Sequence, residues 1–155
     1  MKEQWIDRVI ELAIKNVQSG QGGPFASVVV RDGVILGEGA NLVTSTNDPS
    51  AHAEIIAIRQ ACQKLRSFEL RGCEIYSSCE PCPMCLGAIY WARLASIYFA
   101  ASKDDASQSG FDDFFIYQEF SRRGDQRKIP MVRMMNNKAL EPFHTWEQQP
   151  NKVPY

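Results

Sequence analysis

The sequence contains no apolar run long enough to cross a membrane, which takes about 20 consecutive apolar residues. Its N-terminus also lacks the basic flank and apolar stretch of a secretory signal. Internal repeats and low-complexity tracts are absent as well. We therefore expect a cytoplasmic protein with no membrane partner. A length of 155 residues with 45% hydrophobic residues predicts one globular domain over residues 1–155.

The sequence also has almost no net charge. Its 17 basic and 18 acidic side chains give a formal charge of -1, so no long-range field would attract a polyanion. Basic side chains concentrate between residues 122 and 133, but Glu119 and Asp125 dilute them. This balance favours a mixed, solvated face, and we expect no nucleic-acid partner.

Secondary structure is predicted from the spacing of the apolar residues. Helical and strand-like stretches alternate from residue 26 onward, which is typical of a layered α/β domain. The predicted elements are a first helix over 5–17 covering a sheet, a hairpin over 27–36 with a type I′ turn at Asp32-Gly33, helices over 51–65, 83–93 and 139–148, strands over 74–77 and 96–100, and an edge strand over 132–134. Asp48 or Ser50 is available as the N-cap of the helix over 51–65.

Two short motifs carry the candidate chemistry. His52-Ala53-Glu54 and Pro81-Cys82-Pro83-Met84-Cys85 match the H-x-E and P-C-x-x-C signature of zinc-dependent deaminases. One imidazole and two thiolates, from His52, Cys82 and Cys85, give Zn²⁺ three ligands and leave a fourth position for water. The motifs therefore predict one catalytic Zn²⁺ in each subunit.

Glu54 is the candidate proton shuttle. It follows His52 by two residues, a spacing that does not share a helix face, so the carboxylate can lean over the open metal position. Zinc lowers the pKa of its bound water to about 7, and a neighbouring carboxylate can pass the released proton to a substrate. The combination predicts hydrolytic deamination of a nucleobase-type ring.

Two other metal centres fit parts of the same cysteine cluster. Cys79, Cys82 and Cys85 imitate an iron-sulfur motif, but no further cysteine follows to complete it. A non-catalytic zinc module would instead use Cys79 as a fourth ligand, and it would leave Glu54 without a role. The remaining cysteines, Cys62 and Cys73, are expected to be small buried side chains.

Further blocks carry a resemblance to a known family. They are Gly22-Gly23-Pro24-Phe25, Asn47-Asp48-Pro49, the run Ser78–Arg93 and Gly110-Phe111-Asp112-Asp113. Together with the zinc motifs, they resemble the bacterial guanine deaminases of the cytidine-deaminase-like superfamily. The resemblance implies a three-layer α/β fold whose central mixed sheet is flanked by helices. It also implies conversion of guanine to xanthine and ammonia, with a zinc-bound hydroxide as the nucleophile.

The resemblance assigns roles to individual residues. It implies that Glu54 and Asp113 are catalytic and that five residues contact the substrate, namely Phe25, Asn41, Ala53, Trp91 and Tyr155. From the sequence alone, other roles stay open. Asn41 also suits a turn, Phe25 and Trp91 suit a hydrophobic core, and Asp113 suits a helix cap.

The resemblance also implies an assembly and leaves substrate alternatives. Family members are homodimers that exchange C-terminal segments, here about residues 130–155, so that Tyr155 would close the partner's site. The zinc motif is shared with tRNA adenosine deaminases and does not choose the ring. Cytosine, guanosine and aminotriazines therefore remain alternative substrates.

Overall fold

The computed structural model describes residues 2–155, which form two compact units divided after Asp113. The elements of the first unit are α1 (Glu3–Gln18), β1 (Ala26–Arg31), β2 (Val34–Ala40), α2 (Val43–Thr46), α3 (Ala53–Leu65), β3 (Glu74–Cys79), α4 (Pro83–Trp91), β4 (Ser96–Ala101) and α5 (Lys103–Gln108). The second unit contains α6 (Phe114–Ser121), a 3-10 turn (Gly124–Gln126) and α7 (Glu141–Glu147). None of the helices formed by residues 2–155 combines the length and apolar character that a membrane crossing requires.

The four strands form one mixed sheet in the order β2-β1-β3-β4. Strand β1 runs antiparallel to both β2 and β3, whereas β3 and β4 are parallel. The β1–β2 hairpin turns at Asp32 and Gly33, whose φ angles of 52° and 76° are both positive, as a type I′ turn requires. The predicted hairpin and its turn are therefore confirmed.

Helices cover both faces of this sheet because its side chains alternate between them. Val28 and Val30 pack on one face against Val9 and Ala13 of α1. On the other face, Val29 packs in a cluster contributed mainly by α3 and α4 and the segments beside them, with the members Ala57, Ile58, Ala61, Leu70, Cys73, Ile75, Ile89 and Ala92. These two clusters give the three-layer α/β arrangement with a central mixed sheet, so the predicted fold class is confirmed.

The C-terminal unit has no residue in the buried class. Its α7 lies within the helix predicted over residues 139–148. The edge strand predicted over residues 132–134 is wrong for this chain, because residues 131–135 have no regular structure and no strand within residues 2–155 pairs with them. A strand needs a neighbour to accept and donate its backbone hydrogen bonds. The apolar pattern of residues 132–134 is compatible with a strand, but it does not show whether a pairing partner is present.

Candidate active site

Three potential metal ligands converge in the first unit. The ligand atoms of His52, Cys82 and Cys85 all lie within 4.8 Å of one another. Both sulfur atoms are 3.5 Å from Nδ1 of His52. Among residues 2–155, this is the one group of three or more His, Cys, Asp or Glu side chains so arranged.

Helix starts place these ligands. His52 is the N-cap of α3, and Cys82 is the N-cap of α4, where Pro83 occupies the first turn. The prediction that Asp48 or Ser50 caps α3 is wrong. Asp48 instead accepts hydrogen bonds from the backbone N–H and the hydroxyl of Ser50, at 2.8 and 2.7 Å, and so shapes the loop before the helix.

The sulfur atoms are polarised by each other and by the imidazole. A hydrogen bond from Cys85, assisted by His52, lowers the pKa of Cys82 to about 4, whereas the same bond raises the pKa of Cys85. The hydrogen bond with Cys82 also raises the pKa of His52. A low-pKa thiolate beside an imidazole is the donor chemistry that zinc prefers, and three donors leave one position open. The residues therefore fit a catalytic zinc ion.

Cys79 stands outside this group. Its Sγ donates a hydrogen bond to the backbone carbonyl of Ser102 at 3.5 Å, and burial raises its pKa to about 11. A thiol held in this way is a poor metal ligand, because metals bind the thiolate form. The geometry thus favours neither the closed four-ligand zinc module nor an iron-sulfur cluster.

Glu54 lies in the first turn of α3, immediately after the metal ligand His52 and one buried residue. Only 7% of its surface is exposed, and it lines the same cavity as His52 and Cys82. Burial raises the pKa of this carboxyl group. The side chain is therefore held at the metal site and can carry a proton there.

A cavity of about 630 Å³ opens beside the metal ligands. Phe25, Asn41 and Asp113 all line it, as their predicted roles require. The Phe25 ring meets the Phe111 ring edge to face, with centroids 4.9 Å apart and an interplanar angle of 88°. Burial raises the pKa of the Asp113 carboxyl group. A flat ring could thus rest on an aromatic wall with polar groups around its rim.

Two other predicted contact residues do not line the cavity, and a third belongs to the second unit. Ala53 is fully buried, its carbonyl oxygen lies close to Gly39 of β2, and it does not line the cavity, so its contact with a substrate stays a prediction. Trp91 is 65% exposed at the last residue of α4, about 12 Å along the helix from its first residue, and it does not line the cavity of this chain. Tyr155 belongs to the second unit and is exposed, so its contact with a substrate stays a prediction.

Sequence reasoning did not assign a role to Asn16. This residue is only 6% exposed, although it is polar, and it lies on the face of α1 that also carries Val9 and Ala13. Its spacing was the available sequence signal, because Asn16 follows Val9 by seven residues and Ala13 by three, which puts it on the same buried face of the helix. Its side chain bonds to two segments that line the cavity.

Comparisons with known proteins agree with this geometry. The model of a family described as the cytidine and deoxycytidylate deaminase zinc-binding region matches residues 1–101. Guanine deaminase of Bacillus subtilis (strain 168) is 48% identical over 153 residues, covering 99% of this chain and 98% of that protein. An X-ray structure of guanine deaminase from Bacillus subtilis is similar with a TM-score of 0.97 and 48% identity, covering 99% of this chain and 98% of that chain.

A second kind of relative shares only part of the chain. The tRNA-specific adenosine deaminase of Haemophilus influenzae is 37% identical over 118 residues, covering 72% of this chain and 68% of that protein. The similarity to tRNA-specific enzymes is thus lower and shorter than the similarity to the Bacillus guanine deaminase. Both kinds of relative share the deaminase chemistry, and they differ in the ring on which their names say they act.

Proposed function

This chain belongs to the cytidine and deoxycytidylate deaminase zinc-binding family, and we propose that it hydrolyses guanine to xanthine and ammonia. The observation that carries the proposal is the cavity in which His52, Cys82 and Glu54 meet Phe25 and Asn41. Similarity to the Bacillus guanine deaminase extends over 99% of this chain, including the C-terminal unit. The family's zinc has its donors in His52, Cys82 and Cys85.

The chain's own residues supply the rest of the reaction. When bound, zinc acts as a Lewis acid that activates a water molecule for attack on the ring carbon that bears the amino group. Glu54 would take one proton of the attacking water and deliver it to the adjacent ring nitrogen, and would then move the water's second proton to the amino group, which leaves as ammonia. Its buried position supports this role, because Glu54 lines the same cavity as the metal ligands His52 and Cys82.

Recognition of a purine is assigned to the cavity wall. Phe25 provides an aromatic face for the ring, and Asn41 offers an amide whose donor and acceptor match a purine edge. Asp113 is proposed to accept a hydrogen bond from the exocyclic amine of the substrate and, after the reaction, from the departing ammonia. Since these residues come from the segment before β1, the loop after β2 and the end of the first unit, the first unit supplies most of the binding surface.

The charges around the cavity favour a free base over a tRNA. Its lining includes four acidic residues, Glu54, Glu80, Asp112 and Asp113, and one lysine, Lys103. A phosphate backbone approaching this rim would meet several carboxylates, whereas nucleic-acid-binding surfaces are strongly basic. The proposal therefore places guanine ahead of the tRNA adenosine alternative.

The test is a substrate panel. Purified protein is incubated separately with guanine, adenine, guanosine, cytosine, cytidine, an aminotriazine and a tRNA anticodon hairpin. Ultraviolet spectra and ammonia release are followed for the small substrates, and inosine formation is measured for the hairpin. Guanine should be the best substrate, with no detectable inosine in the hairpin. Preferred turnover of any other member of the panel contradicts the proposal.

The assembly is also part of the proposal. We propose that residues 1–155 act as one deaminase domain in a homodimer that exchanges its C-terminal segments, about residues 130–155. The C-terminal unit leaves large apolar side chains exposed, among them Met134 at 82% and Phe143 at 66%. Strand β4 is an edge of the sheet, so a segment of a second copy can pair with it.

The cytoplasm is the proposed location. All five cysteines are free, and the two metal-binding thiols would be oxidised most readily outside a reducing compartment.

A further inference from the structure

Asn16 connects two segments of the cavity wall without lining the cavity itself. Its Nδ2 group donates one hydrogen bond to the carbonyl oxygen of Gly23 at 2.9 Å and another to the carbonyl oxygen of Asn41 at 2.8 Å. An amide nitrogen carries two hydrogens, so these bonds use its full donor capacity. One buried side chain on α1 thereby fixes two stretches of backbone that lie 18 residues apart.

The two stretches also fit each other closely. The N–H of Asn41 donates to the carbonyl of Phe25 at 3.0 Å. A Cβ atom added to Gly22 would lie 2.0 Å from the carbonyl oxygen of Asn41, so only glycine permits this approach. The carbonyl of Asn41 therefore lies close to Gly22 and also accepts a hydrogen bond from the Asn16 amide. Small movements of this carbonyl would carry the Asn41 side chain with it.

We propose that Asn16 is a positioning residue that holds Asn41 and the Gly22–Phe25 segment in the arrangement that binds the substrate base. The inference rests on the proposed function for its kinetic consequence. Asn16 is not catalytic, because it reaches the cavity only through these two carbonyl groups. Its loss should weaken substrate binding and leave the chemical step largely intact, since the metal ligands and Glu54 lie on other elements.

The test uses Asn16→Asp, which keeps the shape of the side chain and removes both donors. A carboxylate beside two carbonyl oxygens repels them, so KM for guanine should rise about tenfold or more, with kcat changed less than about twofold. Zinc content should stay at the wild-type value. Asn16→Ser keeps one donor and leaves room for water, so it should fold even if Asn16→Asp does not. It should raise KM by a smaller factor than Asn16→Asp.

Two comparisons separate positioning from general stability. Val9→Ala removes a buried side chain from the same face of α1, and it should lower Tm without a change in KM. In an Asn41→Ala background, Asn16→Asp should raise KM by a smaller factor than in the wild-type background, because one of the two substrate contacts that Asn16 positions has been removed. An unchanged KM in a folded Asn16 variant, or a full effect in the Asn41→Ala background, overturns the proposal.

Hydrogen exchange gives a readout that does not depend on guanine. In Asn16→Ser, exchange should increase at the backbone amides of residues 20–23, Phe25 and residues 41–43 and stay unchanged in β3 and α4. An increase spread evenly over the first unit, as expected for Val9→Ala, contradicts the positioning role. A wild-type protein that leaves guanine unchanged would refute the proposed function, and the exchange pattern would still decide the role of Asn16.

Discussion

Gly39 of β2 faces the carbonyl group of Ala53 so closely that a Cβ atom added to the glycine would lie 2.1 Å from that oxygen. Ala53 is the first residue of α3 and follows His52 directly. The absence of a side chain at Gly39 thus allows the start of this helix, with its metal ligand, to rest on the sheet. The contact is between backbone groups, so neither partner can move aside as a flexible side chain would.

Gly39→Ala should therefore disturb both stability and the metal site. The added methyl group must push the start of α3 away from β2, and overpacking of this kind costs about 1 to 3 kcal/mol of unfolding free energy. His52 and Glu54 would move with the helix, so zinc content and turnover should also fall. Denaturant unfolding and metal analysis measure the two effects.

Gly87→Ala is the matched control. A Cβ atom at this exposed position of α4 meets no atom within 4 Å, so the alanine should preserve zinc and turnover and raise stability by about 0.5 to 1 kcal/mol. Equal effects of the two substitutions would show that the close approach at Gly39 has no special importance.

Zinc content should follow the assigned ligands. Wild-type protein is expected to carry about one zinc per chain by elemental analysis, and Cys82→Ala or Cys85→Ala should lose both metal and activity. Cys79→Ala should keep the zinc, because the Cys79 thiol bonds to the Ser102 carbonyl instead. A folded Cys79→Ala protein that loses zinc would favour the closed four-ligand site.

The metal site was predictable from sequence because its parts are local. One residue separates His52 from Glu54, and two residues separate Cys82 from Cys85. The start of a single helix therefore fixes the positions within each pair, independently of the rest of the fold. The fold class was predictable for a related reason, since apolar periodicity identified most of the elements that form the sheet and its two helical layers.

The rest of the site depends on tertiary contacts that periodicity does not encode. His52, rather than Asp48 or Ser50, occupies the N-cap position of α3 without a side-chain capping bond, and its imidazole lies beside the thiols instead. Asp48 closes its own turn with Ser50. Trp91 follows the metal motif in sequence but lies at the last residue of α4 and does not line the cavity of this chain, so its contact with a substrate stays a prediction. The prediction of an edge strand over residues 132–134 was wrong because a strand needs a neighbouring strand with which to pair.

Glu54→Gln should separate proton transfer from metal binding. The amide has nearly the same shape as the carboxyl group but cannot accept and release the proton, so activity should fall at least about a hundredfold while zinc content stays normal. The comparison is Glu80→Gln, another cavity carboxylate, which accepts a hydrogen bond from the Lys103 N–H at 3.1 Å and should lose less than about tenfold. Near wild-type turnover in Glu54→Gln would require another shuttle.

Asp113→Ala should reduce guanine turnover more than it reduces zinc content. The carboxyl group lines the cavity but does not belong to the metal group, so its loss removes a contact to the exocyclic amine and leaves the ligands in place. A fall of about tenfold or more in kcat/KM is expected for a lost hydrogen bond to a charged group. Asp112→Ala is the neighbouring control, and an equal loss in both variants would argue against a specific role for Asp113.

Removal of residues 152–155 tests whether the C-terminal segment that ends at Tyr155 acts as a lid over the active site of the partner subunit. Tyr155 is 75% exposed in this chain, and the last residues of a domain ordinarily fray. If the segment instead covers the site of a partner, its removal should leave folding and zinc intact and lower guanine turnover sharply, because an open site admits water and holds the base less firmly. Unchanged kcat/KM in the truncated protein would exclude a lid.

A mixed dimer distinguishes exchange from closure within one subunit. One co-expressed chain carries Glu54→Gln with an intact tail, and the other carries native Glu54 without residues 152–155. Each homodimer should be nearly inactive, since the first lacks the proton shuttle and the second lacks the lid. With exchanged tails, the intact tail of the first chain covers the competent site of the second, so purified mixed dimers should recover up to about half of the wild-type activity per dimer, since one site of two is then complete. Mixed dimers that form and remain as inactive as either parent would mean that each tail closes its own subunit's site, and the exchange proposal would then be wrong.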